Sequence, residues 1–263
     1  MSGKRIRLPE KYRPREIQNF IGLPKIKSIL TNFLKNPYPA AFLFIGSSGC
    51  GKTAAALAMA EALRSTPLHL ASETCNYDNL DKLLRECEWS PAFWNGEHSK
   101  FHFILIDEID STTATAQRRL LAKLDASELI DNAVFVFTTN TTTRKAKGMD
   151  GGLEERFISR CIQLDFSLYG ASKEIADFLA RVWRLEGGGT GDEPNWERVV
   201  RDKSSNVRDC LQYVEAELLA RGHNGSFADT AGAESDENCR KTEGKPKVDS
   251  LWPSYRPTFP AVA

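Results

Sequence analysis

One segment of the chain sets its architecture: Phe42-Leu43-Phe44-Ile45-Gly46-Ser47-Ser48-Gly49-Cys50-Gly51-Lys52-Thr53. An apolar run of strand length leads into a glycine-rich loop, and the helix-like stretch Thr53–Arg64 follows directly. Short apolar runs and helix-like stretches continue to alternate as far as about residue 166. Strands separated by helices predict an α/β fold in which helices cover both faces of a parallel sheet. The other predicted strands are Leu68–Leu70, Phe103–Ile106, Val134–Phe137 and Cys161–Leu164.

The glycine-rich loop matches the pattern G-x-x-x-x-G-K-[ST], which is typical of phosphate-binding loops between a strand and a helix. Glycine lets backbone N–H groups turn inward around phosphates, and the following helix adds the positive end of its dipole. We expect the Lys52 ammonium to reach the β- and γ-phosphates of ATP and the Thr53 hydroxyl to hold Mg²⁺. The alternative is a chance glycine turn. The predicted ATP contacts in this segment are Gly46, Ser47, Ser48, Gly49, Cys50, Gly51, Lys52, Thr53 and Ala54.

Polar residues follow two of the other predicted strands. The run Ile104–Ile106 ends in Asp107 and Glu108, and the run that ends at Phe137 leads through two threonines to Asn140. We expect Asp107 to bind Mg²⁺ and Glu108 to act as the general base that polarises the attacking water. Asn140 would lie at the carboxyl edge of the sheet, where open α/β sheets bind ligands, and its amide can orient that water. The alternative for Asn140 is an ordinary turn or cap residue.

Two arginines are further candidates for a catalytic role. Arg160 follows the helix-like stretch Leu153–Ile158. It is either a cation that the helix dipole favours at the end of that helix, or an arginine finger that acts on the ATP of a neighbouring subunit. The last predicted helix is Asn206–Arg221, with Asn206 as its expected N-cap. Arg208 near its start either reaches the phosphates of its own subunit or stays a solvated surface residue. The residues alone leave both pairs of alternatives open.

The bulk composition excludes several classes of protein. Lys plus Arg and Asp plus Glu both number 35 among 263 residues, so the net charge is zero and any nucleic acid must bind to local patches. The six cysteines form neither a C-x-x-C pair nor a zinc-finger spacing, which indicates free thiols in a reducing compartment. No signal peptide is recognised and no apolar run approaches ~20 residues, so we expect a cytoplasmic or nucleoid-associated chain, not secreted and without a membrane span.

Together these motifs resemble those of the AAA+ ATPases, and among them the small subunits of replication factor C-type DNA clamp loaders. The phosphate loop, the Asp107-Glu108 pair and Asn140 match the Walker A, Walker B and sensor 1 motifs of that family. Ser159-Arg160-Cys161 matches its arginine-finger motif, and Arg208 falls where its sensor 2 arginine is expected. Two further similarities are Ala116-Gln117-Arg118-Arg119 and the N-terminal signature Glu10-Lys11-Tyr12-Arg13-Pro14, followed by Phe20-Ile21-Gly22.

The resemblance covers roughly residues 8–220 and implies a site shared between subunits. It implies that Tyr12, Arg13 and Pro14 lie against the adenine of ATP. It also implies that ATP and Mg²⁺ bind between AAA+ subunits arranged in a ring or spiral. Hydrolysis, triggered by the neighbour's Arg160, would then release the assembly.

The pattern along the chain predicts three regions. These are an AAA+ nucleotide-binding domain at 1–166, a small helical lid domain at 167–221 and a disordered tail at 222–263. Members of the family continue instead into a helical collar domain that holds the ring together, so we expect either no collar or a different mode of assembly. The chain also departs from the family at Ser47-Ser48, where prolines are usual, and at Ser205–Arg208, where Gly-Asp-Met-Arg is usual.

The resemblance favours one function over two alternatives. The expected function is an ATP-hydrolysing motor subunit of a clamp-loader-like complex that places a sliding clamp on DNA. The alternatives are another AAA+ DNA remodeller, such as a helicase loader or branch-migration motor, and a scaffold that binds ATP without hydrolysing it. Glu108 and Arg160 argue against the scaffold, because a protein that only holds ATP does not need them.

Two surface segments are candidate partner contacts. Arg118, Arg119 and Lys123 lie on the predicted helix after Walker B, where they either contact DNA or form a solvated surface. The aromatic segment Trp89–Trp94 either contacts the sliding clamp or belongs to the core of its own domain. In the first case Phe93 and Trp94 would insert into the clamp and Trp89 would pack beneath them.

Overall fold

A parallel five-stranded sheet is the centre of the computed structural model, which describes residues 6–87, 93–94, 97–125, 130–141, 152–189, 191 and 193–222. Its strands are β1 (Ala40–Ile45), β2 (Pro67–Ala71), β3 (His102–Asp107), β4 (Ala133–Thr139) and β5 (Ile162–Asp165). Across the sheet they are ordered β2-β3-β4-β1-β5, and every neighbouring pair is parallel. The predicted α/β fold is confirmed, and each predicted apolar run lies within or overlaps one of these strands.

The register of the sheet brings the ends of its central strands to one edge. Ile45 at the end of β1 pairs with Thr139 at the end of β4, and the Gly46 N–H donates to the Thr139 carbonyl at 3.2 Å. Ile106, next to the end of β3, pairs with Phe137 of β4. The residues that follow these three strands therefore meet at the carboxyl edge of the sheet, as the strand pattern predicted.

Helices lie on both faces of the sheet. In the described part of the chain they are α1 (Leu8–Lys11), α2 (Pro24–Lys35), α3 (Lys52–Ala62), α4 (Tyr77–Glu86), α5 (Ala114–Leu124), α6 (Glu155–Ile158), α7 (Ser172–Leu185), α8 (Trp196–Asp202) and α9 (Val207–Ala220). Short 3₁₀ turns lie at Ile17–Asn19, Ser72–Thr74 and Ile109–Ser111. Since successive strand residues point to opposite faces, Phe42 and Phe44 join the core beneath α2 and α3, whereas Leu43 joins the core beneath α4 and α5.

Helices α7, α8 and α9 extend the core that contains Phe42 and Phe44. One face of α7 is apolar: Ile175, Leu179 and Val182 are buried, and Phe178 packs against them from a partly buried position. The side chains of Asn195 and Asn206 cap α8 and α9, by accepting from backbone N–H groups in the first turn. The cap at Asn206 was predicted. The division into domains at residue 166 stays a prediction.

The N-terminal segment has more structure than its polar composition indicated. Leu8 of α1, Tyr12 and Phe20 are buried in the same core as the lid helices α7–α9. Their spacing follows neither a helical nor a strand period over a useful length, so the sequence pattern did not predict their burial. The burial comes from tertiary contacts that a local pattern does not reveal.

Some predictions fall on parts of the chain that the structure does not describe. Phe93–Trp94 and Glu97–His98 pair as two short antiparallel strands, a hairpin that was not predicted. Trp89 lies outside the described residues, as do the side chains of Phe93 and Trp94, so their predicted clamp contact stays a prediction. The predicted tail at 222–263 lies outside them from residue 223 onward.

Within the described residues, no helix is both long and apolar enough to cross a membrane.

Candidate nucleotide-binding site

The glycine-rich loop connects β1 to α3 in a conformation that depends on its glycines. Gly49 and Gly51 have φ values of +74° and +98°, a region of backbone space that residues with a side chain rarely adopt. Lys52 is the first residue of α3, and its side chain folds back into the loop with only 8% of its surface exposed. The loop therefore encloses a single buried cation at the amino end of a helix.

The Lys52 ammonium uses its three hydrogens on three oxygen acceptors. It donates to the carbonyls of Gly46 and Ser47, both at 2.8 Å, and to the Asn140 side-chain oxygen at 3.1 Å. Asn140 follows β4 and is 88 residues away in sequence, so the sheet edge has brought together two residues that were predicted to share a site. A phosphate oxygen can replace one of these acceptors without leaving the lysine unpaired.

Asp107, the last residue of β3, is held by side chains from three other strands or helices. Its Oδ1 accepts from the hydroxyls of Thr53 at 3.0 Å and Thr138 at 2.9 Å, and its Oδ2 lies 2.8 Å from His69 Nε2. Burial raises the pKa of Asp107, but these hydrogen bonds and the nearby His69 charge outweigh it, so the net pKa is below its usual range. An ionised carboxylate beside a threonine hydroxyl is a pair of hard oxygen ligands, and these residues fit Mg²⁺.

Glu108 follows Asp107 in a strained backbone conformation. Its φ of +52° is unusual for a residue with a side chain, and its N–H donates to Thr138 Oγ1 at 3.0 Å. The hydrogen bond to β4 holds the turn in place, and the Glu108 side chain is exposed at the carboxyl edge of the sheet. Backbone strain of this kind is concentrated at functional sites, where the surrounding structure maintains it.

The amino end of α9 lies directly over the phosphate loop. A methyl group built on Gly49 would overlap the side chain of Asn206, the residue that caps α9. Arg208 is the second residue of α9 and its side chain is exposed. The lid helix and the loop thus touch through a glycine that has no side chain and an asparagine that is fixed by its capping bond.

We predict that Gly49→Ala destabilises the protein more than Gly170→Ala does. Both glycines have positive φ, +74° and +83°, so alanine costs about 1–2 kcal/mol in backbone strain at either position. Only at Gly49 does the new methyl group collide with Asn206, whereas nothing lies within 4 Å of it at Gly170. The collision should add roughly 1–3 kcal/mol to the loss in the free energy of unfolding, measured by urea denaturation. Equal losses in the two variants would show that the contact between loop and lid is unimportant.

The N-terminal signature links the lid to the loop. The Tyr12 hydroxyl donates to Glu186 Oε1 at 2.5 Å, and Lys11 forms an ion pair with the same oxygen at 2.8 Å. Burial and the bond to Glu186 raise the pKa of Tyr12 well above its usual range. Phe20 lies close to Gly51 of the loop, since a methyl group there would be 3.2 Å from its ring. Residues of the predicted adenine-contacting segment therefore span the space between the loop and the end of α7.

The predicted adenine contacts themselves have other partners within the chain. The Tyr12 ring is buried against Phe178, with ring centroids 6.1 Å apart, and Arg13 forms an ion pair with Glu10 at 2.8 Å. Pro14 is half-buried. Contact of Tyr12, Arg13 and Pro14 with adenine stays a prediction.

Arg160 has its described contacts away from the phosphate loop. Its Nε donates to the carboxylate of Asp125, which follows α5, and its Nη1 donates to the Arg156 carbonyl at 3.0 Å. The Arg160 side chain is about one-third exposed, with a relative surface of 30%. None of these contacts joins it to Lys52 or Asp107 of its own chain, so the predicted arginine finger is at a different part of the surface from the predicted phosphate site.

The three cations predicted to contact DNA are not equivalent. Arg119 forms an ion pair with Asp81 of α4, and its guanidinium lies 5.6 Å from the centre of the Tyr77 ring. Arg118 is 72% exposed and only 3.8 Å from a carboxylate oxygen of Glu154. The hydrogen bond from Arg119 is the main cause that lowers the pKa of Asp81, and the nearby charge of Arg85 lowers it further. Arg119 therefore joins α5 to α4, and it is a weaker candidate for DNA contact than Arg118 and Lys123.

Three residues of the site were not predicted: His69, Thr138 and Asn206. His69 and Thr138 bind Asp107, and Asn206 had been identified only as a helix cap. The sequence carried a signal for His69, because this histidine stands between two leucines in a predicted strand, where an apolar residue would be usual. Contacts made by Thr138 and Asn206 depend on which strand and which helix are neighbours, and that information is not local.

Comparison with known proteins agrees with this geometry. The family model described as "ATPase family associated with various cellular activities (AAA)" matches residues 42–160, from the middle of β1 to Arg160. Residues 42–160 thus resemble the AAA family. The match includes the phosphate loop, the strand that ends at Asp107 and the strand before Asn140, and the sheet around them has the fold expected from the AAA+ resemblance.

Curated relatives of the chain are small subunits of replication factor C. That of Thermofilum pendens is 33% identical and covers 79% of this chain, and that of Methanocella arvoryzae is 28% identical and covers 68%. The alignments cover 61% and 53% of those relatives, and 46% of the Pyrobaculum islandicum small subunit 1. The chain thus spans about half the length of the curated relatives it matches.

Two solved structures share the fold. The Holliday junction branch migration motor RuvB of Thermotoga maritima superposes with a TM-score of 0.61 at 18% identity, over 81% of this chain and 68% of RuvB. The replication initiator DnaA, bound to AMPPCP and single-stranded DNA, gives a TM-score of 0.57 at 13% identity, over 82% of this chain and 68% of DnaA. At these identities the likeness describes the fold alone.

Proposed function

We propose that this chain binds and hydrolyses ATP as a motor subunit of a clamp-loader-like complex that places a sliding clamp on DNA. The observation that carries the proposal is the meeting of Lys52, Thr53, Asp107 and Asn140 at one edge of the sheet. This set supplies a cation for phosphates, oxygen ligands for a metal ion and an amide for water. The replication factor C relatives support the choice of a clamp loader among AAA+ machines.

Each of these residues has a proposed part in ATP binding. Backbone N–H groups of the loop and the Lys52 ammonium bind the phosphates, because they form a concave positive surface at the start of α3. Thr53 and Asp107 hold Mg²⁺, which neutralises charge on the β- and γ-phosphates when it is bound. Tyr12 and its neighbours border the adenine, and Arg208 reaches the phosphates from α9.

Hydrolysis needs a base, a water and a charge that stabilises the transition state. Glu108 lies next to Asp107 with an exposed carboxylate, where it can accept a proton from the attacking water. Asn140 is hydrogen-bonded to Lys52, so its amide is held at the phosphate end of the site and orients that water. Arg160 acts on the ATP of a neighbouring subunit, since its own contacts lie away from its own loop.

Replacing Lys52 by alanine should remove ATP binding and leave the fold intact. Removing one partner of a buried, hydrogen-bonded charge pair costs about 2–5 kcal/mol, which corresponds to roughly 30-fold to 4,000-fold weaker binding. Nucleotide affinity is measured by calorimetric titration of the wild type and of Lys52→Ala, with a thermal melt of each. Lys35→Ala, an exposed lysine at the end of α2, is the matched control. Unchanged affinity in Lys52→Ala would contradict the phosphate-site assignment.

The role in clamp loading is tested with the same proteins, tagged and isolated from their own cells with and without ATP. Recovery of a sliding clamp with other AAA+ subunits, from the wild type in ATP but not from Lys52→Ala, is the expected result. Recovery of a helicase or a Holliday-junction protein instead would favour another AAA+ remodeller.

In the proposed complex Arg118 and Lys123 contact DNA phosphates, and Phe93 and Trp94 contact the clamp.

A further inference from the structure

A histidine on the edge strand of the sheet reaches the proposed metal site. His69 lies in β2, between Leu68 and Leu70, and it pairs in register with Leu105 of β3. Leu105 and Asp107 point to the same face of β3, so His69 is a diagonal neighbour of Asp107 across the two strands. The imidazole is long enough to bridge this diagonal, and its Nε2 lies 2.8 Å from Asp107 Oδ2.

The direction of this hydrogen bond follows from the state of the carboxylate. An aspartate carboxylate offers only acceptors to its partners, whereas a neutral imidazole carries one N–H donor. His69 must therefore donate its Nε2 hydrogen to Oδ2. The hydroxyls of Thr53 and Thr138 both donate to the other oxygen, Oδ1.

We propose that His69 is a positioning residue for the Mg²⁺ site, because it fixes the rotation of the Asp107 carboxylate. The final torsion of an aspartate side chain is broad and roughly two-fold, so bonds to one oxygen alone do not fix the plane of the carboxylate. His69 supplies the bond on the second oxygen and holds Oδ1 toward Thr53. The inference rests on the proposed role of Asp107 as a metal-binding residue.

The histidine also connects the metal site to the edge of the sheet. β2 pairs on one side only, with β3, and the His69 side chain is 45% exposed. Metal-binding carboxylates are themselves hydrogen-bonded in well-formed sites, and loss of such an outer partner typically weakens metal affinity about 10–100-fold. The other two partners of Asp107 are Thr53 of helix α3 and Thr138 of the central strand β4, so His69 on the edge strand is the partner that can be removed with least disturbance to the core.

The test uses Mn²⁺ as the metal probe, with a non-hydrolysable ATP analogue on the full chain. The dissociation constant for Mn²⁺ is measured by electron paramagnetic resonance, and nucleotide affinity in the absence of metal is measured separately. His69→Ala should weaken Mn²⁺ binding about 10–100-fold and leave metal-free nucleotide affinity within about two-fold. His69→Gln should recover much of the loss, because its amide hydrogen can reach the position of Nε2.

A second histidine provides the matched control. His102 begins β3, at the opposite end of that strand from Asp107, so His102→Gln should leave Mn²⁺ affinity unchanged. If His69→Ala binds Mn²⁺ as tightly as the wild type, or if His102→Gln loses as much as His69→Ala, the positioning role is overturned and the proposed function stands. If the wild type itself binds no Mn²⁺ with nucleotide, the proposed function fails, and the inference fails with it.

Discussion

Arg160→Ala, once assembled with its partner subunits, is expected to hydrolyse ATP about 10³–10⁵-fold more slowly than the wild type. An arginine finger contributes this much because its charge stabilises the transferring phosphate only in the transition state. Arg160 is suited to act on another subunit. Its guanidinium is anchored by Asp125 and by the Arg156 carbonyl, and its side chain is partly exposed.

The experiment must separate loss of the finger from loss of the fold or of ATP binding. Arg156→Ala is the matched control, because it removes an exposed arginine from the helix that precedes Arg160 and keeps the carbonyl that binds Arg160. The variant Arg160→Ala should bind ATP like the wild type. Mixed with Lys52→Ala, which carries an intact Arg160, it should regain part of its activity. Failure to regain any, with assembly of the two variants demonstrated, would show that Arg160 does not act across an interface.

The parts of the site that were predicted are those fixed by strand order. Asp107 lies at the end of one apolar run, Lys52 follows another across the glycine-rich loop, and the carboxyl ends of parallel strands share one edge. The meeting of Lys52 with Asn140 follows from the same rule, although the two residues are 88 positions apart. Local sequence was enough here because the apolar runs alternate regularly with helix-like stretches and the loop pattern is specific.

The parts that were missed depend on contacts between elements that no local pattern joins. Tyr12 and Glu186 are 174 residues apart, and their bond exists because α1 packs on the lid helices. Asn206 touches Gly49 only because the lid lies over the loop. Arg119 was grouped with Arg118 by adjacency, yet consecutive helix residues point about 100° apart, and Arg119 is directed toward Asp81 of α4.

Glu108→Gln is expected to bind ATP and Mg²⁺ normally and to hydrolyse ATP about 10²–10⁴-fold more slowly. Glutamine keeps the shape of the side chain and cannot accept a proton from water. The backbone at Glu108, with its φ of +52° and its bond to Thr138, is unaffected by the change.

Asp107→Asn is the contrasting variant, because losing the charge beside Thr53 should weaken metal-dependent ATP binding itself. Binding is measured by titration with and without Mg²⁺, and hydrolysis by phosphate release in single-turnover conditions. Wild-type hydrolysis by Glu108→Gln would rule it out as the base, and the same defect in both variants would place both carboxylates on the metal.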